Sequence, residues 1–125
     1  MLKIKLIKLI VFLPCLLIGS LISNFAVSAE IEHNIYTPIT QLVPFAGERP
    51  SFPGYANKLL VSFSDMSWIP ASCHQSRVYV ETTDNVLVSV LMAAFMAQKN
   101  VRPIVEDSVM LDGKFCKLVY AFVSQ

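Results

Sequence analysis

The chain has 125 residues, of which 54% are hydrophobic and 15% are charged. This length favours one domain, and the imbalance excludes a disordered protein, because disordered chains are rich in charge and poor in apolar residues. Residues 30–125 carry seven basic and nine acidic residues, a net charge of −2, so they have no basic surface that could neutralise the phosphates of a nucleic acid.

Residues 1–29 have the composition and order of a signal peptide. Three lysines come first, an uncharged stretch from residue 9 to 29 follows, and small residues stand at its end. This order predicts cleavage between Ala29 and Glu30 and export to the periplasm or to the outside of the cell. The alternative is an uncleaved N-terminal anchor, since 21 uncharged residues are enough to span a bilayer.

Residues 30–57 are predicted to form an N-terminal strand near 31–36 and then a proline-rich arm. Four prolines and two glycines stand between Thr37 and Asn57, a density that forbids a helix and permits only a short edge strand at the start. Aromatic residues in and beside the arm predict that it packs along the domain, where they either cover the core or contact a ligand: Tyr36, Phe45, Phe52 and Tyr55.

Residues 58–125 form the predicted core of the same domain. Apolar and polar side chains alternate over 58–64 and again over 77–81, which is the period of a strand with one buried face. Two further strands are predicted. One covers 101–106, with a proline that marks a sheet edge or a bulge. The other covers 115–123 after an Asp-Gly turn signal, and we expect it to be central because both of its faces are largely apolar.

A helix is predicted between the two pairs of core strands. It begins at a cap among residues 83–85 and ends near Lys99. Its interior from Val86 to Ala97 contains a single polar residue, Ser89. A helix that is apolar all round must be covered on more than one side, although 12 residues are too few for a membrane span. The cover is either the arm around Phe45–Tyr55 or a second copy of the chain.

Cys73 and Cys116 are the two cysteines that remain outside residues 1–29. An even pair in an exported chain of this size predicts one disulfide, formed in an oxidising compartment. The alternative is two buried thiols. Closing the 43 residues between them would stabilise the fold by roughly 4 kcal/mol if the bridge acts by limiting the entropy of the unfolded chain.

The order of these elements predicts a mainly β fold with one helix. Two strands, a helix and two strands follow the arm, which favours an OB-like small barrel of the α+β class. An open-sheet α+β sandwich is the alternative.

No set of residues predicts a catalytic centre, a metal site or a cofactor. The two histidines, His33 and His74, have no second ligand at metal spacing. The candidate ligand surface is the loop between the first two core strands, where an indole ring beside polar groups suits the C–H faces and hydroxyls of a sugar. The alternative is that the tryptophan closes one end of the barrel. The candidate loop residues are Asp65, Ser67, Trp68 and Ser72.

The second half of the chain resembles a group of toxin subunits. The strand at 77–80, the apolar helix at 87–94, its exit at 99–101 and Cys116 at the start of the last strand are similar to the B subunit of subtilase cytotoxin and its pertussis-like relatives. The resemblance implies a disulfide-bonded OB fold and a ring of five copies. It also implies binding of sialylated host glycans and a separate, exported catalytic A subunit.

The sequence as a whole predicts an exported binding module, without enzymatic activity of its own, that forms a homo-oligomer, binds a glycan and leaves catalysis to a partner. Two alternatives stay open. One is a stand-alone structural or protein-interaction domain of the cell envelope, and the other is a small hydrolase. Neither a nucleic acid nor a cofactor is expected as a ligand.

Overall fold

The computed structural model describes residues 30–125, so the predicted signal peptide at 1–29 lies outside the described residues. The described part forms six strands, one α-helix and a short 3-10 helix. It is mainly β with one helix, as the sequence predicts. The strands are β1 (Glu30–Ile31), β2 (Thr37–Pro44), β3 (Lys58–Phe63), β4 (Val78–Glu81), β5 (Asn100–Leu111) and β6 (Phe115–Val123), with α1 at Asn85–Met96 and the 3-10 helix at Pro53–Tyr55.

Five of the strands close into a ring. Strand β2 pairs with β3, β3 with β4, and β5 with β6, all antiparallel. The ring closes because β4 pairs with β6 in parallel and the start of β5 pairs with β2. The order β2-β3-β4-β6-β5, with the helix between the third and fourth strands along the chain, is that of an OB-like small barrel. This result favours the predicted barrel over the open-sheet sandwich.

The barrel interior is filled by alternate residues of its strands. Val61 and Val78 face each other across β3 and β4, and both are fully buried. Helix α1 adds its inner face, on which Leu87, Leu91 and Ala94 lie together because residues three or four positions apart share one side of a helix. The helix begins at Asp84, whose carboxylate accepts a hydrogen bond from the Leu87 amide, and this confirms the predicted position of the cap.

The other side of the helix has no cover within residues 30–125. Val86 is 77% exposed, Met92 49% and Met96 80%. The loop around Phe45–Tyr55, which the sequence offered as an internal cover, packs instead on the outer face of β3 and β4. That alternative for covering the helix is therefore wrong.

The proline-rich segment contributes more to the barrel than its sequence predicts. Thr37–Pro44 is an eight-residue strand that pairs with β3 and β5, whereas only a short edge strand was expected. Its two prolines stand second and last in the strand, where a missing amide costs few ladder hydrogen bonds. The boundary drawn at residue 58 therefore divides the barrel, which begins at Thr37.

The last two strands agree with the sequence in type and differ in length. Strand β5 runs for 12 residues to Leu111, beyond the predicted end at Glu106. Its ladder with β6 shifts register between Ile104 and Val105, next to Pro103. Strand β6 has β4 on one side and β5 on the other, which confirms that it is central.

The predicted disulfide is present. The Sγ atoms of Cys73 and Cys116 are 2.00 Å apart and their Cα atoms 5.4 Å apart, and both residues are buried. The bridge ties the loop between β3 and β4 to the start of β6, and it is compatible with an oxidising compartment. No helix within residues 30–125 has the length and hydrophobicity needed to cross a membrane.

Candidate ligand-binding surface

Trp68, the centre of the predicted ligand loop, belongs to the core. Its side chain is 8% exposed, and its indole Nε1 donates a hydrogen bond to the Asp65 carbonyl at 2.7 Å. The His33 ring stacks on it with 4.7 Å between ring centroids, and Phe63 meets it edge-on at 5.8 Å. The indole is therefore covered by other rings and is not the open ring beside polar groups that the ligand-loop expectation requires.

The polar residues of that loop make contacts among themselves and with the barrel. The Asp65 carboxylate accepts hydrogen bonds from the Ser67 hydroxyl at 2.6 Å and from its amide at 2.9 Å, and these bonds lower the pKa of Asp65. Ser72 faces a different partner, with its Oγ 3.4 Å from the Asp107 carboxylate. The structure therefore uses Asp65 and Ser67 to shape a turn and does not gather the four residues around an open ring.

A different surface lies where two other loops meet. One is the loop at 45–57, between β2 and β3, and the other is the turn at 112–114, between β5 and β6. The Tyr55 hydroxyl donates a hydrogen bond to the Asp112 carboxylate at 2.9 Å and so joins them. In OB folds the corresponding pair of loops flanks the face that binds oligosaccharides and oligonucleotides. We call this region the two-loop surface, formed by Phe45, Arg49, Phe52, Tyr55, Asp112 and Lys114.

Local geometry explains why these loops hold their shape. Asp112 and Gly113 both have positive φ, 54° and 63°, which produces a tight turn of the kind that Asp-Gly pairs favour. The 45–57 loop contains the 3-10 helix Pro53–Tyr55, which ends at the tyrosine. Tyr55 then packs edge-on against Phe115 of β6, with 6.4 Å between ring centroids, so the 45–57 loop is anchored to the barrel.

Aromatic rings form one wall of the two-loop surface. Phe45 meets Tyr55 edge-on at 5.3 Å between ring centroids, and Phe52 meets it at 6.4 Å. Phe52 packs on one side against these neighbours and is 58% exposed. The wall therefore exposes the Phe52 ring to solvent, while Phe45 and Tyr55 pack beside it.

A guanidinium group is held over this wall. The Arg49 Cζ atom lies 4.5 Å from the centroid of Phe45 and 5.5 Å from that of Phe52, within the range of cation–π attraction. Among residues 30–125 no hydrogen-bond acceptor or carboxylate pairs with this guanidinium. The rings attract the guanidinium weakly, and its N–H donors remain available to a ligand.

The remaining charges complete a small polar edge. Lys114 Nζ lies 3.4 Å from the Asp112 carboxylate. Hydrogen bonds from Tyr55 first, and then from Lys114, lower the pKa of Asp112, so this carboxylate is ionised at neutral pH. The surface borders an open pocket of about 370 Å³, with two cations, one anion and exposed aromatic carbon around it.

The sequence predicts the parts of this surface without joining them. It indicates both the aromatic residues of the arm and the Asp112-Gly113 turn, and ligand contact is one of the two roles that it allows for the aromatic residues. Their union depends on closure of the barrel, because Tyr55 and Asp112 are 57 positions apart. A local sequence pattern carries no sign of that contact.

The histidines and carboxylates do not assemble a further site. Within the described residues no three His, Cys, Asp or Glu side chains come together as metal ligands. His74 Nδ1 lies 3.1 Å from the Ser76 hydroxyl, yet it also faces the Ser76 amide at 3.3 Å, a pattern that a local turn explains.

Compared with known proteins, the chain matches no family model, no curated protein and no solved structure.

Proposed function

We propose that the protein is an exported module that binds an oligosaccharide at the two-loop surface. The observation that supports the proposal best is the hydrogen bond from Tyr55 to Asp112, because it unites the exposed Phe52 ring, the unpaired Arg49 guanidinium and a carboxylate around one open pocket. These are the groups that a sugar needs.

The chemistry of a saccharide fits each part of the surface. Its C–H faces pack on an aromatic ring, and Phe52 supplies such a ring in an exposed position. Its hydroxyls act both as donors and as acceptors, so they suit a carboxylate such as Asp112 beside the donors of Arg49 and Lys114. Loops that are already held by contacts lose little freedom when a ligand binds, which favours affinity.

Export and partnership belong to the same proposal. The Cys73–Cys116 disulfide supports an oxidising compartment such as the periplasm or the exterior, and residues 1–29 have the composition of a signal peptide. The resemblance to toxin B subunits supports a glycan ligand, an oligomer of up to five copies and a separate catalytic subunit. Recovery of an exported enzyme bound to the protein would support this last part.

A glycan array tests the proposed ligand. The oxidised protein is applied to the array, and dissociation constants for any hits are then measured by titration calorimetry. We expect Phe52→Ala and Asp112→Asn each to weaken binding at least tenfold. Phe122→Ala is the matched control, because Phe122 is also an exposed phenylalanine but lies on β6 outside the two-loop surface. An array without hits, or equal losses in all three variants, would contradict the proposal.

A second candidate function is a protein-interaction domain of the cell envelope. The observation that favours it is the exposed apolar side of helix α1, where Val86 and Met96 are mostly open to solvent, since such surfaces are typical of protein contacts. Capture of a specific envelope protein by the wild type, with loss of capture in Val86→Glu and full capture in Phe52→Ala, would favour this function over sugar binding.

A further inference from the structure

Arg102 marks a second cationic surface, far from the two-loop surface. It stands near the start of β5, directly across from Phe122 near the end of β6. The two-loop surface begins beyond Leu111, at the other end of β5. The strand from Arg102 to Leu111 is roughly 30 Å long, so the two surfaces are separate.

Two exposed aromatic rings lie beside the Arg102 guanidinium. Its Cζ atom is 4.1 Å from the centroid of Phe122 and 5.9 Å from that of Tyr36, both within the range of cation–π attraction. Phe122 is 42% exposed and Tyr36 46%. Tyr120 packs edge-on against Phe122, with 5.5 Å between ring centroids. Flat apolar surface is therefore available next to a positive charge.

The protein uses one side of this guanidinium and leaves the other free. Nη1 donates to the His33 carbonyl at 3.2 Å and to Asn34 Oδ1 at 3.1 Å. Within residues 30–125, Nη2 has no hydrogen-bond acceptor, no carboxylate forms an ion pair with the guanidinium, and the buried Nε–H has no partner. A buried donor without a partner lowers stability, so the contacts of the folded chain alone do not explain why a cation stands here.

The Asn34 carboxamide adds donors beside the guanidinium. Arginine can only donate, so the amide oxygen must face it and the Nδ2 hydrogens must point elsewhere. Asn34 is exposed, and in the part of the chain that the structure describes its Nδ2 has no acceptor. Free donors around an unpaired cation suit an anion. We call this region the Arg102 site, formed by Asn34, Tyr36, Arg102 and Phe122.

The charges nearby select an anion with a single negative charge. The Glu32 carboxylate accepts a hydrogen bond from the Tyr120 hydroxyl at 3.2 Å, and Glu30 lies near the same hydroxyl. These carboxylates repel excess negative charge, and a phosphate group carries about 1.5 to 2 negative charges at neutral pH. A carboxylate carries one, and a planar guanidinium matches its shape. The exposed rings favour a flat apolar group attached to that carboxylate.

We propose that the Arg102 site binds a carboxylate attached to a flat apolar group. The carboxylate accepts hydrogen bonds from Arg102 Nη2 and Asn34 Nδ2, and the apolar group packs on Phe122 and Tyr36. A free aromatic acid and the C-terminal residue of a peptide share this chemistry. The site does not depend on the oligosaccharide of the two-loop surface, and loss of the Phe122 ring should weaken binding of the carboxylate without affecting the sugar.

His33 should report binding at this site. Burial is the foremost cause of its lowered pKa, and the charge of Arg102 lowers the pKa further, whereas the bond to Pro103 and the charge of Asp65 raise it. A bound carboxylate offsets the charge of Arg102, so it should raise the pKa of His33 toward 6.5. An anion bound far from Arg102 would leave this pKa unchanged.

An NMR titration with benzoate tests the proposal. The oxidised, isotope-labelled protein is titrated to about 50 mM ligand, which covers weak binding of small molecules. We expect saturable shifts of the Arg102 and Asn34 side-chain signals and a rise in the pKa of His33. Benzamide, which has the same ring without the charge, should bind at least about tenfold more weakly. Arg102→Gln should lose a similar factor in affinity for benzoate. Arg77→Gln is the matched control and should bind like the wild type, because Arg77 lies outside the site and contacts Gln41.

A second variant and a peptide complete the test. Phe122→Leu keeps the charge and an apolar side chain but removes an exposed ring, so it should fold and bind benzoate severalfold more weakly even if Arg102→Gln fails to fold. The peptide Gly-Gly-Phe, with a free or an amidated C-terminus, identifies the source of the carboxylate. Tighter binding of the free form than of benzoate indicates a peptide terminus, and weaker binding indicates a free acid.

Several results would overturn the proposal. These are the absence of saturable shifts with benzoate, equal binding of benzamide, wild-type affinity in folded Arg102→Gln, and an unchanged pKa of His33 at saturation. Tighter binding of inorganic phosphate than of benzoate would also overturn it, because the surrounding carboxylates should disfavour the greater charge.

Discussion

The imidazole ring of His33 stacks on the indole ring of Trp68, with 4.7 Å between their centroids and 22° between their planes. His33 Nε2 lies 2.7 Å from the Pro103 carbonyl, and Nδ1 accepts a hydrogen bond from the Ile35 amide at 3.0 Å. One nitrogen must therefore donate while the other accepts, which is the arrangement of a neutral imidazole. This contact holds the segment between β1 and β2 against the end of the barrel.

Acid should weaken the fold through His33. Burial lowers its pKa below the ordinary value of 6.5 and Arg102 acts in the same direction, against the bond to Pro103 and the charge of Asp65. Because the unfolded chain takes up the proton at a higher pH than the folded chain does, stability is complete above pH 6.5 and falls as the pH drops toward the folded pKa. Urea unfolding at pH 7.5 and 5.5 measures this loss. We expect His33→Gln to make this loss of stability smaller than it is in the wild type.

Reduction should destabilise the protein strongly. The Cys73–Cys116 bridge closes a loop of 43 residues, and its loss should cost about 4 kcal/mol if it acts on the unfolded chain. Urea unfolding with and without a reductant measures the difference. The double variant Cys73→Ala with Cys116→Ala is the control, because its unfolding should not respond to the reductant. Equal midpoints for the oxidised and reduced wild type would contradict the expectation.

The two faces of helix α1 should respond differently to truncation. Leu91 is fully buried in the barrel core, and Leu91→Ala should lower the free energy of unfolding by about 2–5 kcal/mol because it leaves a cavity. Val86 is 77% exposed, so Val86→Ala should change the free energy of unfolding by less than about 0.5 kcal/mol. Urea unfolding measures both values. Similar losses would contradict the placement of the helix.

Local periodicity predicts much of this fold. Apolar and polar residues alternate at Leu59, Val61 and Phe63, and the helix has an uninterrupted apolar run. Both patterns predict the element correctly because the residues of each segment contact the core along its whole length. The sequence predicts only a short edge strand at the start of 37–57 and not the full strand at 37–44, because it does not show where a proline stands in a ladder. Pro38 and Pro44 are harmless near the strand ends, whereas the same residues in the middle would break it.

The candidate site was harder to predict because it depends on distant residues. Trp68 resembles a ligand platform in its polar sequence context, but the side chain that covers it, His33, is 35 positions away. Phe52 and Asp112 likewise come together because the barrel closes and brings its two loops to one surface. The sequence can indicate which residues have the chemistry to bind a ligand. Which of them are exposed to a ligand depends on the fold.

The hydrogen bond from Tyr55 to Asp112 should control the carboxylate of the two-loop surface. Tyr55→Phe keeps the ring that packs against Phe115 and removes the hydroxyl that donates to Asp112 at 2.9 Å. Since this bond is the foremost cause of the lowered pKa of Asp112, the variant should raise that pKa toward its ordinary value, and carboxyl NMR titration measures the change. In calorimetric titrations we expect a glycan that binds the wild type to bind the variant severalfold more weakly. Lys114→Gln should also raise the pKa of Asp112, because it removes the positive charge beside the carboxylate. If Tyr55→Phe left both the pKa and the affinity unchanged, the two loops would be independent. The hydrogen bond from Tyr55 to Asp112 would then no longer support the proposed ligand surface.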